Sequence, residues 1–214
     1  MIPKPDVDFN LLTNTSAMGC KSWSLPAGPK YCVGFVKSPD SPCHYCYAGG
    51  GRYAMPNVKK PQALRQEWWA HEDPGVIVGT LVTKIRKLRT KYIRVFDSGD
   101  FQSTRDVLLW LSIVKSCPDV AFWFSTKSWI KPVFTCLLVE LNAEPNVVVR
   151  RSALLFDKPA GRHAIRTTAE VHTAGTGCPK QLSGSCKKAN CRDCWDKSVL
   201  TVVYKLHGYP ARWK

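Results

Sequence analysis

No stretch of this 214-residue chain approaches the roughly 18 uninterrupted apolar residues that a membrane span needs. The opening residues, Met1-Ile2-Pro3-Lys4-Pro5-Asp6, lack the apolar core of a secretory signal. No internal repeat and no low-complexity segment is visible. Acidic residues are scarce, 16 Asp and Glu against 31 Lys and Arg, so the formal net charge is +15. These absences argue against a membrane protein, a secreted protein and a repeat array. They predict a cytoplasmic protein with no membrane contact.

What is present is apolar and rich in sulfur. Hydrophobic residues make up 44% of the chain, with eight Trp and eight Phe, enough for a globular core of one domain with a small appendage. Ten cysteines in a chain of this kind are better explained as metal ligands than as disulfides. Seven fall in two groups: Cys32, Cys43 and Cys46, then Cys178, Cys186, Cys191 and Cys194. Cys117 and Cys136 lie in helix-like apolar runs and are expected as buried thiols, while Cys20 is a candidate spare ligand.

Two thiolate sets of different size predict two kinds of site. Three cysteines around a 4Fe–4S cluster leave one iron without a protein ligand, open to a small molecule. Zinc completed by Cys20 or His44 is the bland reading of the same three residues. The four later cysteines supply a closed set, suited to a second 4Fe–4S cluster or to structural zinc. Gly49-Gly50-Gly51 follows Cys46 after two residues and is expected to allow close backbone approach to a ligand.

Past residue 55 the pattern alternates. Residues 58–72 look helical, and Asp73-Pro74 starts a second helix carrying Ile77, Leu81, Ile85 and Leu88 at helical spacing. Tyr92-Ile93-Arg94-Val95-Phe96 is strand-like, and Ser103 with Asp106 forms a capping box before Val107, Trp110, Leu111 and Val114. Further strands are expected at 120–124, 146–150 and 199–204, with a helix at 130–142. Strands alternating with helices imply βαβ units and a parallel sheet covered on both faces. Such folds place their sites at the strands' C-terminal ends, here marked by Ser98, Gly99, Asp100, Ser125, Lys127, Arg150, Arg151 and Ser152.

Positive charge favours a polyanionic partner, nucleic acid or nucleotide, even after seven ligating thiolates and two clusters reduce the net value to about +12. Lys84, Arg86, Lys87, Arg89, Lys91 and Arg94 form the densest basic run, either a phosphate-tracking surface or a solvated face. Trp68-Trp69 is expected in the core rather than as a base-stacking platform.

An ordered set of motifs resembles a known family. Trp23-Ser24-Leu25-Pro26-Ala27-Gly28, Cys32, Cys43-His44-Tyr45-Cys46-Tyr47-Ala48, Asp97-Ser98-Gly99-Asp100-Phe101 and Trp123-Phe124-Ser125-Thr126-Lys127 follow one another. With Cys178-Pro179-Lys180-Gln181 and Cys191-Arg192-Asp193-Cys194-Trp195, they resemble the phage-borne family known as gene product eighty-eight. That family resembles in turn the radical S-adenosylmethionine superfamily, in which three cysteines, the last preceded by an aromatic, hold a 4Fe–4S cluster after the first barrel strand. Tyr45-Cys46 is similar to that aromatic–cysteine pair, and Ser98-Gly99-Asp100 to the acidic turn that receives the methionyl ammonium. The interval between Cys32 and Cys43 is longer than the superfamily's.

The resemblance implies a partial (β/α) barrel over residues 1–177, with a cysteine-rich metal site and final strand over 178–214. It implies an enzyme that reductively cleaves S-adenosylmethionine, fed by a reductase as electron donor. Ser98, Gly99, Asp100, Ser125, Lys127, Arg150 and Ser152 are the cofactor-binding candidates, and the seven grouped cysteines the metal ligands. The rival class is a non-enzymatic nucleic-acid-binding protein stabilised by zinc at both groups.

Overall fold

A computed structural model describes residues 10–168, Cys178 and residues 184–206. Seven strands form one mixed sheet in sequential order: β1 (Thr13–Thr15), β2 (Cys20–Trp23), β3 (Tyr92–Val95), β4 (Ala121–Thr126), β5 (Val147–Ser152), β6 (Ala164–Thr168) and β7 (Thr201–Lys205). β1 runs antiparallel to β2, and every later neighbouring pair is parallel. Among the described residues the sheet is not closed into a barrel, since β1 and β7 remain its two edges.

Among the described residues, four α-helices fill the connections from β2 to β5: α1 (Pro56–His71), α2 (Pro74–Leu88), α3 (Thr104–Lys115) and α4 (Pro132–Ala143). Their starts follow from local chemistry. The Asp73 carboxylate accepts from Gly75 N at 2.8 Å and Val76 N at 3.1 Å, and Pro74 supplies a preset φ. Ser103 and Asp106 form the predicted capping box on α3. The expected helices at 58–72 and 130–142 are thus present with slightly moved ends, as are the expected strands. β6 is an addition that its apolar content does not announce.

The period-2 alternation of the strands divides the buried residues between two faces. Ile93, Val95, Phe122, Phe124, Val147 and Val149 pack with all four helices, around a trio of Trp23, Trp69 and Trp110 whose ring centroids are 5.0–5.9 Å apart. Trp68 and Trp69 therefore belong to the core, as expected. The opposite face carries Trp123, Ile165 and Val202, covered by Met18, Cys186, Cys194 and Trp195. The C-terminal cysteine segment is thus the lid of the second face, and β7 adds a strand to the same sheet.

Candidate functional site

The C-terminal ends of the parallel strands surround a cavity of about 890 Å³. Its wall includes Cys32, Cys43 and Cys46, Ser98, Gly99 and Asp100, Ser125 and Lys127, and Ser152. Arg150, Cys191 and Cys194 are not among the lining residues.

The three cysteines belong to the loop between β2 and α1, the first connection to leave the C-terminal edge of the parallel part of the sheet. Two contacts fix that loop. Gly34 lies so close to the end of β4 that a Cβ there would stand 2.4 Å from the Lys127 carbonyl carbon. Phe156 N donates to Asp40 O at 2.9 Å, and the Tyr45 ring packs 5.7 Å from that of Phe156. Backbone N–H groups are aimed at the thiols: Gly28 N lies 3.5 Å from Cys32 Sγ, and the amides of Ala48 and Gly49 hydrogen-bond to Cys46. Burial pushes the Cys32 thiol up to about 12, with Asp100 and the neighbouring Cys46 and Cys43 adding to the effect. Burial raises Cys46 too, against its backbone donors. Burial thus favours the neutral thiol over the free thiolate at both positions. The glycine run departs from expectation: Gly50 and Gly51 have no atom within 4 Å of an added Cβ, and neither lines the cavity.

Ser98 and Gly99 close the turn after β3. Ser98 Oγ donates to Leu25 O at 2.7 Å and accepts from Gln62 Nε2 at 2.7 Å. Gly99 has φ +84°, and a Cβ would meet Leu25 Cβ at 2.9 Å, so both conformation and space demand glycine. Asp100 is buried, and its carboxylate accepts from Thr126 Oγ1 at 2.6 Å, Lys127 N at 2.8 Å and Phe101 N at 2.8 Å. Burial raises its pKa above the carboxylate range, while these donors pull it down. Most of the acceptor capacity of Asp100 thus ties the end of β3 to that of β4. Ser125 Oγ donates to Phe96 O at 3.3 Å, and Ser152 O accepts from Trp129 Nε1 at 3.1 Å.

Arg150 takes a different place from the one the sequence implies. It is fully buried, and its guanidinium donates to the carbonyls of Cys194 at 3.0 Å, Val199 at 2.8 Å and Asp196 at 2.9 Å, and also to that of Asp193. It clamps the C-terminal segment onto the sheet.

Of the later cysteines, Cys178 and Cys186 line the same cavity as the first group. Cys178 N donates to Val203 O at 2.9 Å, and Cys186 N to Ala17 O at 2.8 Å. Cys194 is buried, with Sγ 3.2 Å from the Tyr204 hydroxyl, and burial pushes its thiol up to about 11. Cys191 is half-buried and hangs from Cys186 O by its amide at 3.0 Å. Pro179, Lys180 and Gln181 lie outside the described residues. Among the described residues no three Cys, His, Asp or Glu side chains are gathered closely enough to hold a single metal ion. Cys20 is buried in β2 against the second face and does not line the cavity, Cys117 is buried, and Cys136, expected inside, faces solvent on α4.

One cluster in the wall is not foreseen by the sequence. Arg94 pairs with Asp97 at 2.8 Å, donates to the Tyr47 hydroxyl at 2.9 Å and lies 4.9 Å above the Trp123 ring. Tyr47 donates to Asp97 O, and Tyr53 to its carboxylate. Arg94 therefore leaves the basic run. Arg86, Lys87, Arg89 and Lys91 are exposed, between the end of α2 and the start of β3, at the end of the sheet opposite the cavity.

Fold and site define an α/β protein with a cysteine-lined cavity at the C-terminal ends of a parallel sheet. The chain matches the family described as Gene product 88 over residues 7–174, and it belongs to that family. The match ends before Cys178. No curated protein and no solved structure matches it. Among the described residues no helix is long and apolar enough to cross a membrane.

Proposed function

We propose that this protein is an iron–sulfur enzyme of radical S-adenosylmethionine type, its open sheet serving as part of a (β/α) barrel. The observation that carries this reading is a single juxtaposition. Cys32, Cys43 and Cys46 leave the first parallel strand and share one cavity with Ser98, Gly99 and Asp100 from the end of the next. Three thiols, with backbone N–H groups directed at two of them, are the donors that would hold a site-differentiated 4Fe–4S cluster. When bound, such a cluster supplies one electron for homolytic cleavage of the sulfonium, giving methionine and a 5′-deoxyadenosyl radical.

The chain's own residues then bind and orient. Lys127, half-buried in the wall, offers the cation for the methionyl carboxylate, and Ser125 and Ser152 offer polar groups along the adjoining strand ends. Asp100 acts mainly by position, holding the Lys127 backbone through its amide. Gly99 lets the Leu25–Pro26 backbone approach the turn. A nucleic acid or nucleotide as substrate is consistent with the net charge of +15.

The test is anaerobic reconstitution, reduction and chromatography. 5′-Deoxyadenosine and methionine are expected, with a spectral change on adding S-adenosylmethionine. A reduced, iron-loaded protein that yields neither sinks the radical reading. The exposed basic end of α2 favours the second reading, a zinc-stabilised nucleic-acid-binding protein, which zinc at both cysteine groups would support.

A further inference from the structure

Of the large apolar and aromatic side chains exposed among the described residues, Tyr47 alone lines the cavity, with 39% of its surface open. It is also held in place. Its hydroxyl donates to Asp97 O and accepts from Arg94 at 2.9 Å, and the Tyr53 ring lies 5.3 Å from its own. Arg52 lines the same wall and is exposed, so it stands where the cavity meets solvent. Among the described residues its guanidinium has no hydrogen bond and no ion pair. Asp97, the carboxylate on this side of the wall, is engaged by Arg94 and Tyr53. Only Ala48 and Gly49-Gly50-Gly51 separate Tyr47 from Arg52, so no intervening side chain is larger than a methyl group.

We propose that Tyr47 and Arg52 form a subsite for a free nucleotide at the mouth of the cavity, the ring stacking on the base and the guanidinium holding the phosphate. The proposal deepens the function above by naming a substrate class, and rests on it for treating the bound nucleotide as substrate. A tethered aromatic ring offers a base a stacking surface with little side-chain ordering left to lose. An unpaired guanidinium offers a phosphate two parallel N–H donors. The methionyl carboxylate of S-adenosylmethionine is assigned to Lys127, which leaves Arg52 for a second ligand. A cavity of about 890 Å³ is large for a single small ligand and suits a cofactor with one nucleotide beside it. A strand of nucleic acid suits it less. The exposed Arg86, Lys87 and Arg89 lie at the opposite end of the sheet, so the densest basic run does not lead into this mouth.

The experiment is calorimetric titration of the full chain with ribo- and deoxyribonucleoside 5′-monophosphates, the matching nucleosides and S-adenosylmethionine. At least one monophosphate is expected to bind about ten-fold or more tightly than its nucleoside. Arg52→Gln, at an exposed residue without partners, should abolish that preference and leave nucleoside and S-adenosylmethionine affinities unchanged. Tyr47→Leu should weaken monophosphate and nucleoside alike, whereas Tyr47→Phe keeps the ring and should keep the phosphate preference. No preference for any monophosphate, or one that survives in Arg52→Gln, overturns the inference. Weaker S-adenosylmethionine binding by Arg52→Gln gives the residue to the cofactor and overturns it too. A 5′-phosphorylated oligonucleotide that outbinds every monophosphate overturns the assignment to a free nucleotide. Failure of the proposed function looks different: the reduced, iron-loaded protein then releases no 5′-deoxyadenosine with or without nucleotide. Binding and its Arg52 dependence persist in that case, and only the name of substrate is lost.

Discussion

Gly34 packs against Lys127 with no room for a side chain, a Cβ on the glycine falling 2.4 Å from the carbonyl carbon of the lysine. This contact seats the cysteine loop on the end of β4. It ties the geometry of three thiols to a strand that carries none of them.

Gly34→Ala should therefore disturb the N-terminal site without removing a ligand. The clash is with backbone, so the loop must move, at a cost of about 1–3 kcal/mol. Iron at the first cysteine group is expected to fall while the C-terminal metal stays. Gly50→Ala, with nothing within 4 Å of its Cβ, is the control and should leave iron content unchanged.

Cys32→Ala, Cys43→Ala and Cys46→Ala should each remove about four irons, one cluster's worth, and spare the later group. Iron and sulfide assay of the three variants beside the parent checks this. Full iron in all three would rule out the assignment.

Arg150 joins the sheet to the C-terminal segment, so its loss should cost stability before chemistry. Arg150→Met takes the side-chain donor from the Cys194 and Val199 carbonyls and should destabilise by about 1–3 kcal/mol. Cys194→Ala should also lower the melting temperature, because a structural metal's binding energy is largely folding energy. A Cys194→Ala protein that lost its metal but melted with the parent would contradict that.

Asp100→Ala removes three accepted hydrogen bonds and should cost about 1.5–3 kcal/mol of stability with unchanged iron content. Displacement of Lys127 should weaken S-adenosylmethionine binding about ten-fold or more, as read by equilibrium titration. Burial raises the pKa of this carboxyl, so the folded chain holds its proton to higher pH than the unfolded chain does. Its contribution is therefore complete below the unfolded value of about 3.9 and is lost as pH rises through the folded one. Asp100→Asn should flatten that part of the stability profile, and an unchanged slope in denaturant titrations across acidic pH would count against it.

Charge reversal at Arg86, Lys87 and Arg89 should reduce non-specific DNA or RNA binding and its salt dependence. It should leave iron content and S-adenosylmethionine cleavage untouched, because these residues sit at the opposite end of the sheet. Loss of cleavage in a well-folded triple variant would show that this surface serves the site.

Much of the frame is legible without coordinates. Ile77, Leu81 and Ile85 repeat at helical spacing and all three are buried, and the Ser103–Asp106 capping box marks the start of α3. Ser98, Gly99, Asp100, Ser125, Lys127 and Ser152 could be singled out because strand ends in βαβ units are predictable from strand runs alone. β6 is not legible, since Ala164–Thr168 offers one large apolar residue and an arginine. Arg150 and Arg94 are not legible either. A basic residue at a strand end looks the same in sequence whether it meets a ligand or holds carbonyls.

By itself the sequence determines the alternation of elements, the caps, the parallel sheet and the two thiol groups. All of these are set by local spacing and side-chain chemistry. Only the tertiary structure decides that Cys178 and Cys186 share the cavity of the first group, that Arg150 is a clamp and that the sheet stays open among the described residues. Those outcomes depend on which face each alternate strand residue meets, and on a segment from the chain's end covering one face of the sheet, where Cys194 and Trp195 pack.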